Sequence, residues 1–172
     1  MNKQTLDGMF RHLIQVHGIG MRAVEMIPAD KLDAHPIPGM RTPKELVVHL
    51  YATVVREISE GVLRGSIQQV DEKAICDRIK THADLVRFCK ESWAAGAAAR
   101  EKITDQHLAS MVNTPWNFQA PGHIMFGITH DEYLHHRGQL YAFLRVFGIE
   151  PVMIWDFGNN APEYQPKQPA GA

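Results

Sequence analysis

The sequence predicts an all-α protein, an antiparallel four-helix bundle with a short irregular C-terminal tail. Four segments carry apolar residues at spacings of three and four, which is the periodicity of a helix that packs on one face. No stretch between them alternates convincingly as a strand does. The segments are about twenty to thirty residues long with short to medium connections, a combination that favours a bundle over any sheet architecture.

The first two helices are delimited by proline and by capping residues. The first is predicted over residues 3–26, after which three prolines in the linker prevent its continuation. The second is predicted over residues 42–63. Its start is the sharpest boundary in the chain, because Thr42 supplies an N-cap hydroxyl, Pro43 takes the first helical position and Glu45 can complete a capping box.

The second half of the chain supplies two further helices. One is predicted over residues 72–103 and the other over residues 121–147, with a loop over residues 105–119 between them. The last helix ends at Gly148 with a proline three residues beyond, which is the usual stop chemistry. Gly138 inside this helix costs about 1 kcal/mol relative to alanine, so we expect it to permit the close approach of a neighbouring helix.

The domain organisation follows from length and composition. With 172 residues, 45% of them hydrophobic, and no shift in composition along the chain, residues 1–160 are expected to form one domain. Residues 161–172 are polar and rich in proline. We therefore expect them to build no core and to form a loose extension or a partner-binding arm.

Composition also excludes several classes of function. The net charge is −1, with 18 basic and 19 acidic residues spread along the chain, which leaves no field to gather nucleic acid or anionic lipid. No apolar run approaches the length of a membrane span. The two cysteines, Cys76 and Cys89, would lie about 20 Å apart on one helix, too far for a disulfide. We expect a cytoplasmic protein that binds neither nucleic acid nor membranes.

The chemistry is predicted to lie on the last helix, where three of the ten histidines fall within seven positions. On a helical wheel of about 100° per residue, Glu132 and His136 lie one turn apart within the apolar stripe. An unpaired carboxylate in an apolar core is strongly unfavourable, so it needs an ion pair, hydrogen bonds or a metal. Two ligands at i and i+4, completed by one from a facing helix, form a recurrent metal site. His49 is the candidate third ligand.

Spacing alone leaves alternatives open. A buried ion pair between Glu132 and His136 explains the same pattern without a metal, since acid–histidine pairs at i and i+4 are common on helices. His135 lies on the flank of the helix, and Gln139 can hydrogen-bond a ligand histidine, so both are candidates for residues that support the ligands. Glu57, on the apolar stripe of the second helix, is unexplained and is an alternative ligand, as is His135.

Residues 131–140, with the sequence DEYLHHRGQL, resemble the signature of the DinB-like family of small metal-binding four-helix bundles. The order and lengths of the helices resemble that family over residues 3–148. The resemblance implies that His136, just before Arg-Gly-Gln, is a ligand and that His49 is the ligand on the second helix. The position four residues before His136 is commonly histidine in the family, whereas this chain has Glu132.

The resemblance therefore implies a divalent metal held by His49, Glu132 and His136, with zinc or nickel expected first and iron or manganese compatible. Characterised members of the family include transferases and isomerases that use a low-molecular-weight thiol. Three protein ligands leave a coordination position for substrate. We expect a metal-dependent enzyme of the thiol-dependent transferase or isomerase type, or a hydrolase. The alternative is a non-catalytic bundle that binds a metal or a small ligand.

The expected partners are a small-molecule substrate, which could be a low-molecular-weight thiol, and a second copy of the chain. A homodimer contact could use the alanine-rich face of the third predicted helix. It could also use the aromatic residues after the last helix, Trp155, Phe157 and Tyr164.

Overall fold

The computed structural model describes residues 1–165, in which four long helices form the bundle. Besides single turns of 3-10 helix, the elements in chain order are α1 (Lys3–Glu25), α2 (residues 43–64), α3 (Glu72–Arg78), α4 (His82–Glu101), α5 (Asp105–Ala109), β1 (Met111–Asn113), β2 (Gln119–Pro121) and α6 (Gly122–Val146). The long helices are α1, α2, α4 and α6, and the predicted fold class is confirmed. None of the helices described is long and apolar enough to cross a membrane. The cytoplasmic location stays a prediction.

Helix α2 starts as predicted and changes its hydrogen bonding in the middle. The Thr42 side chain accepts a hydrogen bond from the backbone N–H of Glu45, and the Glu45 carboxylate accepts one from the backbone N–H of Thr42 at 2.8 Å. The middle of the helix, His49–Glu57, is π-helical. Ser59 Oγ donates to the carbonyl of Val55 in this segment at 2.7 Å. Such π segments occur frequently at functional sites.

The single helix predicted over residues 72–103 is wrong, because the chain breaks it before Thr81. Thr81 and Asp84 form a capping box that starts a new helix, α4. Ile79 is extended and buried, and it ends α3. Helix α3 therefore lies against the first half of α2 instead of extending α4. The two cysteines consequently lie on different helices, both as free thiols.

The loop predicted over residues 105–119 contains helix α5 and an antiparallel hairpin of β1 and β2. Each strand has only three residues, too few for a recognisable alternation in the sequence. The hairpin is attached to the chain that follows α2. The backbone N–H of Ile67 donates to the carbonyl of Asn113 at 2.8 Å, and that of Asn113 donates to the carbonyl of Gly65 at 3.2 Å.

The core extends further towards the C-terminus than predicted. Tyr164 is buried against α1, with its ring centroid 4.7 Å from that of His17. Asn160 is also buried, and its side-chain amide donates to the carbonyl of Gln15 at 2.9 Å. The expectation that residues from 161 onward build no core is therefore wrong at Tyr164. The rest of the predicted tail, residues 166–172, lies outside the described residues.

A buried polar cluster around His17 joins the helices of the bundle. The His17 ring is fully buried and stacks on Trp93, with centroids 3.7 Å apart and planes 4° apart. Its Nδ1 lies 3.2 Å from the Tyr51 hydroxyl and 3.3 Å from the Tyr133 hydroxyl. Burial, and to a smaller extent the charge of Arg100, hold the pKa of His17 well below its ordinary value. His17 is therefore neutral in the folded protein.

This neutral His17 makes stability fall at acid pH. In the unfolded chain His17 binds a proton as the pH drops through about 6.5, whereas in the folded protein it does so only at much lower pH. The contribution of neutral His17 to stability is thus complete above about pH 6.5 and is lost as the pH falls below that value.

A phenylalanine at position 17 keeps the stacking surface but cannot be protonated. We expect the free energy of unfolding of metal-free wild type to fall more steeply from about pH 7 to about pH 5 than that of His17→Phe, by up to about 1.4 kcal/mol per pH unit. Urea denaturation across this range measures the two slopes, and parallel slopes would contradict the prediction.

Candidate metal centre

Helices α2 and α6 bring together the three side chains that the sequence singles out as ligands. His49 begins the π segment of α2, and Glu132 and His136 lie one turn apart on α6. Their ligand atoms all lie within 4.8 Å of one another. The two imidazole rings are nearly perpendicular, with centroids 4.9 Å apart. Within the described residues, this is the one cluster of three or more histidine, cysteine or acidic side chains that could hold a metal.

The hydrogen bonds of the His49 ring leave its Nε2 atom free. Nδ1 of His49 lies 2.7 Å from Glu72 Oε1. An ionised carboxylate only accepts hydrogen bonds, so Nδ1 carries a proton, and in the neutral ring Nε2 is the atom with the free lone pair. Burial opposes the ionisation of Glu72, but hydrogen bonds from His49 and from Thr53, the latter at 2.5 Å, lower the pKa of Glu72 below its ordinary value. A carboxylate behind a histidine is the usual support of a metal ligand.

The His136 ring is held in the same way by a different partner. Its Nδ1 donates to the side-chain carbonyl of Gln139 at 2.8 Å, while the amide of Gln139 donates to His135 Nε2 at 3.0 Å. The structure thus places Gln139 directly behind His136 and exposed His135 one contact further away. Burial is the main reason that the pKa of His136 lies below its ordinary value. The ring is neutral, with the lone pair on Nε2.

Nε2 of His136 is a buried polar atom that lacks a hydrogen bond. It lies 3.0 Å from Glu132 Oε2, yet this contact does not have hydrogen-bond geometry. The two observations agree, because Nδ1 carries the proton and Nε2 has none to donate. A buried acceptor without a donor is unfavourable. A cation between these atoms removes that cost, and bonds of about 2.0–2.2 Å to zinc require only small side-chain movements. The residues present therefore fit a divalent metal.

Two sequence expectations about acidic residues need correction. Glu132 does not lie in the apolar core, since 43% of its side chain is exposed. The wheel treats the whole apolar stripe of α6 as covered by neighbouring helices, whereas at Glu132 the stripe meets an open cavity. The carboxylate of Glu57 is not brought to the cluster. It accepts hydrogen bonds from Arg64 and, at 2.7 Å, from the backbone N–H of Gln68.

A cavity of about 400 Å³ is lined by two of the three candidate ligands, His49 and Glu132. Its walls come from α2, from α6 and from the turn of the hairpin. The lining residues are His49, Thr53, Val54, Ile58, Trp116, Phe118, Ile128 and Glu132. His49 and Glu132 are thus reachable from solvent on one side, while His136 lies buried next to them.

Comparison with known proteins identifies the family. The model of the DinB family matches residues 1–167. The chain belongs to the DinB family. The DinB-like protein YjoA from Bacillus subtilis has a similar crystal structure, with a TM-score of 0.69 and 18% identity, over 86% of this chain and 96% of YjoA.

A second solved structure is similar to this DinB family member. It is YfiT from Bacillus subtilis, described as a probable metal-dependent hydrolase with an unusual four-helix bundle topology. The TM-score is 0.64 and the identity 20%, over 87% of this chain and 91% of YfiT. No curated protein matches the chain. At these identities the structural likeness shows the fold alone.

The DinB signature holds one expectation that the structure overturns. Gly138 is exposed on α6, and a Cβ atom placed there meets nothing within 4 Å. It therefore does not permit the close approach of a neighbouring helix. A glycine that does permit close approach to the backbone of a neighbouring helix is Gly96 on α4, where a Cβ atom would lie 2.7 Å from the carbonyl oxygen of Val55.

Sequence reasoning about this DinB family member missed four residues at the site. Glu72 and Thr53 support His49, but Glu72 lies 23 positions from it, beyond the reach of any spacing rule. Trp116 and Phe118 line the cavity. The available signal for these two was the length of the loop that carries them, since long loops usually cover a site.

Proposed function

We propose that this DinB family member is a metal-dependent hydrolase in which His49, Glu132 and His136 hold a divalent cation. One observation carries the proposal. One ligand atom from each of two imidazoles and one carboxylate lie within 4.8 Å of one another, and two of these residues, His49 and Glu132, line an open cavity. A site closed on all sides would instead indicate a structural metal.

The donor set suits hydrolytic chemistry. Two histidines and one glutamate bind the metal in several catalytic zinc sites and leave at least one coordination position open. A bound cation supplies Lewis acidity, which polarises a carbonyl or phosphoryl group and makes water a nucleophile near neutral pH. Glu72 and Gln139 keep the His49 and His136 rings in the tautomer that offers Nε2. Zinc or nickel suits these donors best, and iron or manganese is compatible.

Two further functions are distinguished from this proposal by experiment. Thiol-dependent transfer rests on the family resemblance, and a thiol could reach the metal through the same cavity. A bundle that uses its metal only for stability is favoured by the position of the site between α2 and α6. Hydrolysis is supported in addition by the description of YfiT as a probable metal-dependent hydrolase.

The first test measures metal content in protein purified without a chelating tag. We expect about one divalent metal per chain in wild type, and a loss of most of it in Glu132→Ala and His136→Ala, because three protein ligands bind far more tightly than two. His130→Ala is the matched control, since His130 lies on the same helix outside the cluster and its Nδ1 contacts Asp131. Circular dichroism checks that all variants keep their helices. A wild type that takes up neither zinc, nickel nor manganese would overturn the proposal.

Activity then separates the three functions. Zinc-loaded and metal-free protein are assayed on a panel of esters and amides, with and without a low-molecular-weight thiol. Turnover that needs the metal but not the thiol supports hydrolysis, whereas turnover that needs both assigns thiol-dependent transfer. Bound metal without turnover, together with a large loss of stability when the metal is removed, assigns a structural role.

A further inference from the structure

We propose that the cavity beside the metal centre binds a planar apolar group, such as an aryl ring, of an uncharged substrate. The proposal rests on the proposed function and assigns its substrate class. The substrate would place an oxygen-bearing group at His49 and Glu132, and its ring at the opposite end under the hairpin.

The walls of the cavity carry two ionisable side chains and are otherwise mostly apolar. Among the described residues that line it, the ionisable ones are His49 and Glu132, and both belong to the metal centre. The remaining lining residues are Thr53, Val54, Ile58, Trp116, Phe118 and Ile128. An ionic group placed against such walls would lose its hydration without gaining a partner. The walls therefore select an uncharged, apolar group.

Two aromatic side chains indicate that this group is planar. Trp116 is 40% exposed and Phe118 is 41% exposed, so much of each ring stays in contact with water. Their ring planes lie 24° from parallel, with centroids 6.1 Å apart. Exposed apolar surface of this kind, at the rim of a cavity, is typical of a binding site. Aromatic side chains bind planar rings through offset or edge contacts as well as through burial of area.

The rings lie on a turn whose conformation is held by hydrogen bonds. Thr114 Oγ1 donates to the carbonyl of Phe118 at 2.6 Å, which closes the turn. Asn117 adopts a left-handed conformation with φ of 60°, which asparagine tolerates better than most residues. The start of the turn is attached through Asn113 to the segment after α2. The two rings are thereby positioned before a substrate arrives, which reduces the entropy lost on binding.

The size of the cavity sets the size of the group. A volume of about 400 Å³ lies at the lower end of the range for small-molecule sites. It suits one substituted ring better than a large polar conjugate. The proposed substrate class is therefore a small aryl or similarly flat apolar ester or amide.

Two hydroxamic acids with the same metal-binding head test this assignment. Zinc-loaded protein is titrated calorimetrically with acetohydroxamate, which carries a methyl group, and with benzohydroxamate, which carries a phenyl ring. We expect benzohydroxamate to bind wild type roughly 10- to 100-fold more tightly, because only its ring reaches the apolar end. In the double variant Trp116→Ala, Phe118→Ala this preference should fall to a few-fold, while the affinity for acetohydroxamate and the zinc content stay unchanged.

Two further variants make the test specific. Trp155→Ala removes an aromatic side chain that is 62% exposed and lies outside the cavity, and it should keep the full preference. Ile128→Trp narrows the cavity from α6 and should abolish the preference by a different route. Equal affinity of zinc-loaded wild type for the two acids, or no binding of either, overturns the aryl site. The proposed metal site is not contradicted by that result. A wild type that takes up no zinc overturns the proposed function, and the aryl site with it.

Discussion

Replacing Glu72 with alanine is expected to weaken zinc binding about 10- to 100-fold without unfolding the protein. Glu72 accepts the Nδ1 proton of His49 at 2.7 Å and a second hydrogen bond from Thr53. Without that acceptor the ring loses its fixed orientation and no longer favours the tautomer with a free Nε2. The histidine remains present, so binding is weakened and not abolished. Competition with a chromophoric chelator measures the zinc affinity.

The control for this prediction is a variant on α3, the helix that carries Glu72. Asp77→Ala removes one negative charge from α3, but Asp77 is exposed and pairs with Lys73 at 2.7 Å. Its zinc affinity should match that of wild type. Glu72→Gln should lie between wild type and Glu72→Ala, because glutamine keeps an acceptor but loses the charge. Equal affinities of Glu72→Ala and wild type would mean that Glu72 does not support His49.

Replacing Gly96 with alanine is expected to lower the free energy of unfolding by about 1–3 kcal/mol. The added Cβ atom would lie 2.7 Å from the carbonyl oxygen of Val55 and 3.1 Å from Nη1 of Arg100. The carbonyl belongs to the π segment of α2 and already accepts a hydrogen bond from Ser59, so helix α4 must move away. This cost exceeds the gain of about 1 kcal/mol that alanine brings to a helix. Urea denaturation of metal-free protein measures the difference.

Gly138→Ala is the matched control, because this glycine also lies within a long helix. A Cβ atom there meets nothing within 4 Å, so the substitution should raise stability by about 0.5–1 kcal/mol. Opposite signs for the two substitutions would confirm that α4 and the π segment are in close contact. Equal free energies of unfolding for Gly96→Ala and Gly138→Ala would contradict the close contact between α4 and the π segment.

Local chemistry made much of the fold predictable. The capping box of Thr42 and Glu45 marks the start of α2, and Gly148 marks the end of α6, because capping involves residues within one turn of each other. The break before Thr81 is also local, since Thr81 and Asp84 form a capping box three positions apart. Apolar residues continue on both sides of this break, and for that reason the periodicity alone predicts one long helix there.

The sequence by itself determined the bundle of four long helices, though not the break before Thr81, and the pair Glu132 and His136, whose contact follows from spacing on one helix. Only the tertiary structure decided that Glu132 faces a cavity, that Glu72 holds His49, and that Trp116 and Phe118 line the apolar end. The physical reason is the separation along the chain of the residues that meet. Helical periodicity reports on neighbours three and four positions apart, whereas His49 lies 23 positions from Glu72 and 83 positions from Glu132, and these residues meet only because the helices pack in one arrangement.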